Sequence, residues 1–181
     1  MGIDSRCHRA VFLDRDGVIN RPVVRDRKPF APTCVEDLHV LPGVERALVR
    51  LRHAGFRLIV ATNQPEVARG TLRREVVDAM HARLGAMLPI DEFRVCHHDD
   101  RDGCLCRKPK SGLLEAAARE SDLTLASSFM VGDRWLDVEA GRRVGCTTIF
   151  IDWDYDERRP DKPDVIVPSL ADAVEWILAR S

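Results

Sequence analysis

Four short polar segments place carboxylate, hydroxyl and ammonium groups where they could do chemistry together. In the first, Asp14 and Asp16 stand two residues apart in a D-R-D-G turn that follows an apolar run. Two neighbouring carboxylates are costly to bury without a cation, and oxygen ligands of this kind suit Mg²⁺. The turn could instead lie on the surface with both aspartates solvated, because a motif this short does not decide alone.

The second and third segments supply a hydroxyl and a cation. Thr62 stands at the end of another apolar run, ahead of Asn63 and Gln64, and its hydroxyl can donate a hydrogen bond to a phosphate oxygen. Arg107 and Lys108 come just before a predicted helix, where a lysine and backbone amides can form a phosphate pocket. Taken separately, Thr62 also fits a strand cap and Lys108 a solvated basic loop.

The fourth segment, G-D-R-W-L-D at residues 132–137, offers two more carboxylates. Asp133 follows an apolar run, and Asp137 lies four residues later, about one helical turn away. Aspartate is a common helix N-cap, so Asp133 could simply cap the helix that follows. On its own, this segment predicts no more than acidic groups at the end of a strand.

The elements that must position these segments alternate short β-branched runs with amphipathic stretches. This pattern is typical of an α/β fold with a parallel sheet. Strands are predicted at Arg9 to Leu13, Phe56 to Ala61, Phe93 to Cys96, Phe129 to Val131, Thr147 to Ile151 and Val165 to Val167. Helices are predicted from Pro42-Gly43 to Gly55, Leu72 to Met87, Gly112 to Glu120, Trp135 to Val144 and Ala171 to Ala179, the last with Ser169 as N-cap. Residues 20–42 are predicted to be an irregular loop, and the clusters that end strands should meet at one edge of the sheet.

The whole chain indicates one globular domain over residues 1–181. Its formal net charge of −1 provides no global field that would attract nucleic acid or an anionic membrane. No apolar run reaches the ~20 residues of a membrane helix. The segment Met1 to Arg9 lacks the apolar stretch of a secretory signal, so a cytoplasmic location is expected.

Three cysteines and two histidines gather in one short segment. Cys96, His97 and His98 are followed by Cys104 and Cys106. Three thiolates and one imidazole make a closed tetrahedral zinc site, and the spacing alone allows either histidine as the fourth ligand. Free thiols on a loop are the alternative. The remaining cysteines are expected to be buried or unreactive thiols: Cys7, Cys34 and Cys146.

The joint order of the segments carries more information than any one of them. A D-x-D-G turn, a strand-end threonine, a lysine and a G-D-x-x-x-D segment together resemble the four motifs of the haloacid dehalogenase superfamily, from about residue 9 to 151. The F-L-D-R-D-G-V-I-N, A-T-N-Q, A-R-G and C-L-C-R-K-P segments (12–20, 61–64, 68–70, 104–109) resemble subfamily IIIA, which holds heptose bisphosphate and histidinol-phosphate phosphatases. The resemblance implies a three-layer, Rossmann-like parallel sheet with helices on both faces and a zinc loop at about 96–106. The short segments between motifs indicate that no large cap domain is present.

The resemblance also implies an activity and a role for each motif residue. It implies a Mg²⁺-dependent phosphomonoester hydrolase in which Asp14 is the nucleophile and becomes an aspartyl-phosphate. Asp16 would be the general acid and base, and Thr62 and Lys108 would stabilise charge on the transferring oxygens.

The ligand sets follow from the same resemblance. Mg²⁺ would be held by Asp14, the backbone carbonyl of Asp16 and Asp133, with Asp137 orienting metal-bound water or Lys108. A structural Zn²⁺ would be held by Cys96, His98, Cys104 and Cys106, and would fix the loop that presents Arg107 and Lys108. Substrate contacts are expected from Asn63, Gln64, Arg107 and Arg134.

The expected substrate is a small sugar phosphate. D-glycero-D-manno-heptose 1,7-bisphosphate leads, with histidinol phosphate or another sugar phosphate as alternatives, because R-P-V-V-R at residues 21–25 and Pro65-Glu66 depart from the family pattern. A monomer with no nucleic-acid or membrane partner is expected. A non-catalytic zinc-ribbon module is the alternative of another class, and the complete motif set disfavours it. A phosphotransferase would need a larger cap to exclude water, so hydrolysis is favoured.

Overall fold

A six-stranded parallel sheet forms the centre of the protein in a computed structural model that describes residues 8–181. Its strands are β1 (Ala10–Leu13), β4 (Arg57–Asn63), β5 (Glu92–Cys96), β6 (Phe129–Gly132), β7 (Thr147–Ile151) and β8 (Val165–Val167). They run in the order β5-β4-β1-β6-β7-β8, and every neighbouring pair is parallel. The predicted α/β fold is therefore confirmed.

Helices cover both faces of this sheet and complete three layers. They are α1 (Val44–His53), α2 (Arg74–Met87), α3 (Gly112–Ser121), α4 (Trp135–Arg143) and α5 (Leu170–Leu178). Side chains on β1 alternate between the layers, as a strand buried on both faces requires. Val11 and Leu13 pack with apolar residues of α1, α2 and α5, whereas Ala10 and Phe12 pack with those of α3. Helix α4 lies against β6 and β7.

A small hairpin corrects the prediction of an irregular loop over residues 20–42. Strands β2 (Val23–Arg25) and β3 (Lys28–Phe30) pair antiparallel, outside the main sheet. Asp26 and Arg27 form the turn with φ of 49° and 58°, the left-handed conformation that a two-residue hairpin turn needs. The sequence pattern does not predict this hairpin, because its strands are only three residues long and its turn lacks the usual Asn-Gly or Asp-Gly.

The predicted element boundaries hold to within a few residues. Strand β4 extends beyond Ala61, so Thr62 lies within the strand, and α2 begins at Arg74, after a buried Leu72. The Ser169 hydroxyl caps α5 by accepting a hydrogen bond from the Asp172 amide at 3.3 Å, as predicted.

Two further predictions concern the chain as a whole. Cys7 and nearly all of the N-terminal segment predicted to lack a signal lie outside the described residues. In the part of the chain that is described, none of the helices has the length and apolar character needed to span a membrane.

Candidate active site

Three neighbouring strands deliver the polar segments to one edge of the sheet. Asp14 follows directly after β1, Asp133 follows directly after β6, and Thr62 is the penultimate residue of β4. Because β4, β1 and β6 are adjacent and parallel, their carboxyl ends place these side chains together. Asp14, Thr62 and Asp133 line one cleft of about 340 Å³, together with Lys108 and Asp137.

Lys108 is the buried cation of this cleft, with 2% of its side chain exposed. Its Nζ lies 3.0 Å from Asp14 Oδ1 and 2.5 Å from Asp137 Oδ1, and it donates to the Ala61 carbonyl at 2.7 Å. Burial by itself would lower the pKa of Lys108, but the charges of Asp137 and Asp14 outweigh it and raise that pKa. The lysine is therefore a fixed ammonium between two carboxylates.

A third carboxylate, that of Asp133, lies close to the two that bind the Lys108 ammonium. One oxygen from each of Asp14, Asp133 and Asp137 lies within 4.8 Å of the others. Burial raises the pKa of Asp14 to about 6; Lys108 opposes the rise, and Asp137 and Asp16 add to it. Burial, and then repulsion by Asp14 and Asp137, raises the pKa of Asp133 well above its ordinary value. The excess of negative charge and the oxygen-only donor set fit a divalent cation such as Mg²⁺.

In Asp14, and also in Asp133, the two carboxyl oxygens have different surroundings. Asp14 Oδ1 accepts hydrogen bonds from the Arg15 amide at 2.8 Å and from Lys108. Asp133 Oδ1 is buried and has no hydrogen-bond partner within residues 8–181. A buried carboxylate oxygen without a donor is unfavourable unless something absent from the protein chain satisfies it. This oxygen supports the presence of a cation site.

Two glycines allow the aspartate-bearing turns to approach so closely. A Cβ at Gly17, where φ is 82°, would lie 1.8 Å from Asp133 Oδ2. A Cβ at Gly132 would lie 2.1 Å from Asp137 Cβ. Any larger residue at either position would push apart the carboxylates that the site brings together.

A buried hydrogen-bond network holds Asp16 in position. Arg15, which has no exposed surface, donates to both carboxyl oxygens of Asp16, at 2.9 Å to Oδ2 and 3.1 Å to Oδ1. Asn20 donates to Asp16 Oδ1 at 2.9 Å, and Gln64 donates to Oδ2 at 3.1 Å. Arg15 also contacts His81 Nε2 at 3.2 Å. Three side chains therefore donate to the Asp16 carboxyl group, and His81 contacts one of them, Arg15.

His81 and Arg15 are functional-site residues that sequence reasoning missed. His81 stacks on the Phe93 ring at a centroid distance of 4.8 Å. Burial, followed by the charge of Arg15, lowers the pKa of His81 to about 3, so the ring is a neutral acceptor. Arg15 stands between two motif aspartates as an apparent spacer, and only its burial reveals its role.

Asn63 contacts both the protein and the cleft, whereas Gln64 contacts only the protein within the described residues. Asn63 exchanges two hydrogen bonds with the Lys108 backbone, at 3.0 and 3.1 Å, and also lines the cleft. Gln64 is fully buried, and its amide donates to Thr62 Oγ1 at 3.0 Å. That Gln64 contacts substrate stays a prediction; its observed contacts position Thr62 and Asp16.

The predicted zinc ligands form a compact cluster. The Sγ atom of Cys106 lies 3.2 Å from that of Cys96 and 3.5 Å from that of Cys104, and Cys96 and Cys104 are 3.7 Å apart. His98 Nδ1 lies 3.3 Å from Cys106 Sγ and 3.6 Å from Cys96 Sγ. A tetrahedron with metal–sulfur bonds of about 2.3 Å has edges of about 3.8 Å, so this donor set fits Zn²⁺.

Comparison with known proteins identifies the family. Residues 105–173 match the HAD-hydrolase-like family model. The chain is 36% identical to a D-glycero-D-manno-heptose-1,7-bisphosphate 7-phosphatase of Thermosynechococcus vestitus, over 93% of this chain and 94% of that protein. The chain belongs to the HAD-like hydrolase family.

Two further relatives agree with this membership. A D-glycero-beta-D-manno-heptose-1,7-bisphosphate 7-phosphatase of Pseudomonas aeruginosa is 37% identical over 84% of this chain and 86% of its own length. The crystal structure of D,D-heptose 1,7-bisphosphate phosphatase from Bordetella bronchiseptica, complexed with magnesium and phosphate, aligns with a TM-score of 0.78 at 29% identity. That alignment covers 96% of this chain and 99% of the other. The predicted membership of this superfamily is therefore confirmed.

The cleft of this HAD-like hydrolase has a rim rich in ion pairs. Arg107 Nε donates to Asp100 at 2.8 Å, and the guanidinium of Arg134 binds Glu157 at 2.6 and 2.8 Å. Both arginines line the cleft, and each already has a carboxylate partner. That they contact substrate stays a prediction. Lys28 of the hairpin also lines the cleft, and within the described residues it forms no ion pair.

Proposed function

We propose that this chain is a Mg²⁺-dependent phosphatase that hydrolyses the 7-phosphate of D-glycero-D-manno-heptose 1,7-bisphosphate through an aspartyl-phosphate on Asp14. The names of the similar proteins support the substrate. The observation that carries the reaction is the cluster of three buried carboxylates at the ends of β1 and β6, two of which bind the Lys108 ammonium.

In the first half-reaction the Asp14 carboxylate attacks phosphorus. Two donors occupy its Oδ1, the Arg15 amide and Lys108, which leaves Oδ2 as the attacking oxygen. The bond between phosphorus and the sugar oxygen breaks, and Asp16 donates its proton to the leaving alkoxide. The donors around Asp16 fix the position of its carboxyl group at the cleft.

In the second half-reaction a water molecule attacks the phosphorus of the aspartyl-phosphate. Asp16 accepts the proton of this water, and the bond to Asp14 breaks, which releases phosphate and restores both carboxyl groups. Because Asp16 is held by Arg15, Asn20 and Gln64, one side chain can serve both steps without changing place.

Thr62 and Lys108 stabilise charge on the transferring phosphoryl oxygens. Gln64 donates to Thr62 Oγ1, so the hydroxyl hydrogen of Thr62 is left to donate to phosphate. Asp137 binds Lys108 Nζ and accepts from the Arg134 amide at 3.0 Å, so it fixes the ammonium within the site.

The Mg²⁺ site and the Zn²⁺ site have separate roles. Asp14, Asp133 and the Asp16 backbone carbonyl would hold Mg²⁺, which when bound offsets the repulsion between the Asp14 carboxylate and the phosphate. The cysteine cluster would hold a structural Zn²⁺, because its four ligands leave no open position. Lys108 follows Cys106 by two residues, so a fixed cluster also fixes the catalytic lysine.

A second candidate substrate is histidinol phosphate, which carries an amine. Glu66 lines the cleft, and its buried Oε2 has no hydrogen-bond partner within residues 8–181. An ammonium group could satisfy that oxygen, whereas a second phosphate would be repelled by it. The same observation therefore opposes the heptose bisphosphate and favours this alternative.

The test is phosphate release with Mg²⁺ from a panel of substrates: both anomers of the heptose bisphosphate, histidinol phosphate and an aryl phosphate. We expect the highest kcat/KM for one heptose bisphosphate anomer and no turnover by Asp14→Asn. A higher kcat/KM for histidinol phosphate would establish the second candidate. Turnover by Asp14→Asn, or turnover that persists without a divalent cation, would refute the mechanism.

A further inference from the structure

The loop between β7 and β8, residues 152–164, brings two aromatic donors to the active site. The Tyr155 hydroxyl donates to Asp133 Oδ2 at 2.9 Å, and Trp153 Nε1 donates to the Gly17 carbonyl at 2.9 Å. The two rings stack with an interplanar angle of 6° and a centroid distance of 6.5 Å. The loop therefore touches both aspartate-bearing turns, although none of the sequence motifs includes it.

Tyr155 makes the two oxygens of Asp133 different. Oδ2 accepts the tyrosine hydroxyl and lies where a side chain at Gly17 would collide with it. Oδ1 is buried without a partner within the described chain. A hydrogen bond to one oxygen fixes the rotation of the carboxyl group, and so fixes where the other oxygen points.

The surroundings of Asp133 make this hydrogen bond significant. Asp133 is buried, and one oxygen from each of Asp14, Asp133 and Asp137 lies within 4.8 Å of the others. Buried carboxyl oxygens need hydrogen-bond donors or a cation. Within residues 8–181, the Tyr155 hydroxyl is the side-chain donor that Asp133 has, and it reaches only Oδ2.

The loop that carries Tyr155 is anchored on both sides. Glu157 binds the guanidinium of Arg134, which lies next to Asp133 in the chain. On the other side, the Arg27 guanidinium pairs with Asp154 at 2.9 Å, which links the loop to the hairpin turn. These contacts keep the tyrosine ring in place before any cation arrives.

We propose that Tyr155 is a positioning residue for the divalent cation: its hydroxyl holds Asp133 through Oδ2 and leaves Oδ1 to bind the metal. This inference rests on the proposed function, because it assigns Asp133 as a ligand of that cation. A tyrosine that merely packed against the sheet edge would stabilise the fold without changing metal affinity.

The deciding measurement is Mg²⁺ affinity by isothermal titration calorimetry for the parent protein and Tyr155→Phe, which removes only the hydroxyl. We expect the dissociation constant to rise about 10-fold, the usual cost of losing a hydrogen-bond partner of a metal ligand. Saturating Mg²⁺ should restore kcat. Ser169→Ala is the matched control, since it also removes a hydroxyl that donates to a carboxylate, Asp172 at 2.5 Å, but it lies at the start of α5.

Tyr155 is the chain's single tyrosine, which gives a second readout on the unaltered protein. With tyrosine labelled by ¹³C at Cζ, Mg²⁺ should shift the one Cζ resonance, with the same dissociation constant as calorimetry. A resonance that Mg²⁺ leaves in place, or a Tyr155→Phe affinity within about twofold of the parent, would overturn the inference while the proposed function stands. A parent protein that binds no Mg²⁺ would overturn both.

Discussion

The ammonium of Lys108 lies 3.0 Å from the carboxylate of Asp14, and both groups are buried at the base of the cleft. The same ammonium is 2.5 Å from Asp137, so one cation serves two buried anions. Without a bound metal, this lysine is the charge that makes the acidic cluster tolerable, because an unpaired buried charge is strongly destabilising.

Replacing Lys108 by methionine tests this dual role. Lys108→Met keeps the length of the side chain but removes the ammonium that Asp14 and Asp137 contact, in a cluster that also contains Asp133. We expect kcat to fall at least about 100-fold, and the free energy of unfolding without Mg²⁺ to fall by about 3 kcal/mol. Added Mg²⁺ should restore part of the stability and none of the activity. The exposed Lys162→Met is the control, and equal behaviour of the two variants would contradict the assignment.

The convergence of this cluster was predictable for a simple reason. Asp14, Thr62 and Asp133 each end or follow a strand, and a parallel sheet brings such positions to one edge. The thiol cluster was predictable because Cys96, Cys104 and Cys106 are close in sequence. In both cases short-range patterns and one topological rule were sufficient.

The remaining features depend on long-range packing that no local pattern encodes. Arg15 is fully buried because His81 and Gln64, distant in the chain, provide its acceptors. Tyr155 reaches Asp133 only because β7 lies beside β6. Gln64 follows directly after β4, at a position where the sequence does not show whether the side chain points into the protein or into the cleft. That direction depends on the residues that pack behind the strand.

Cys104→Ser should remove the zinc and weaken the loop that leads to Lys108. We expect the parent to contain about one zinc ion per chain and the variant to contain almost none. The thermal midpoint should fall by roughly 10 °C, the shift that about 3–4 kcal/mol produces in a chain of this size. Metal analysis and thermal unfolding provide the measurements. Cys34→Ser, outside the cluster, should keep its zinc; zinc retained by Cys104→Ser would exclude this ligand set.

His81 should make the protein sensitive to mild acid. Its pKa is about 3 when folded, lowered by burial and then by Arg15 and His97 against the opposing charge of Asp16, and about 6.5 when unfolded. Between these values the unfolded chain binds a proton that the folded chain does not. The contribution of His81 to the free energy of unfolding is therefore complete above pH 6.5 and is lost as the pH falls. His81→Gln keeps an acceptor for Arg15. It should reduce the change of the free energy of unfolding with pH by up to about 1.4 kcal/mol per pH unit. Urea unfolding from pH 7 to 5 is the measurement, and parallel curves would contradict it.

We expect Lys28 to bind the second phosphate group of the substrate. It lines the cleft from the hairpin, and the arginines on the same rim, Arg107 and Arg134, are each paired with a carboxylate. Lys28→Ala should raise KM for the heptose bisphosphate about 5-fold, the effect of losing one partly exposed charge contact, while KM for an aryl phosphate stays the same. Arg25→Ala is the matched control, because it removes the same charge from the same hairpin at a position outside the cleft lining. Equal KM changes for both substrates, or equal effects of the two variants, would show that the hairpin does not recognise the distal phosphate.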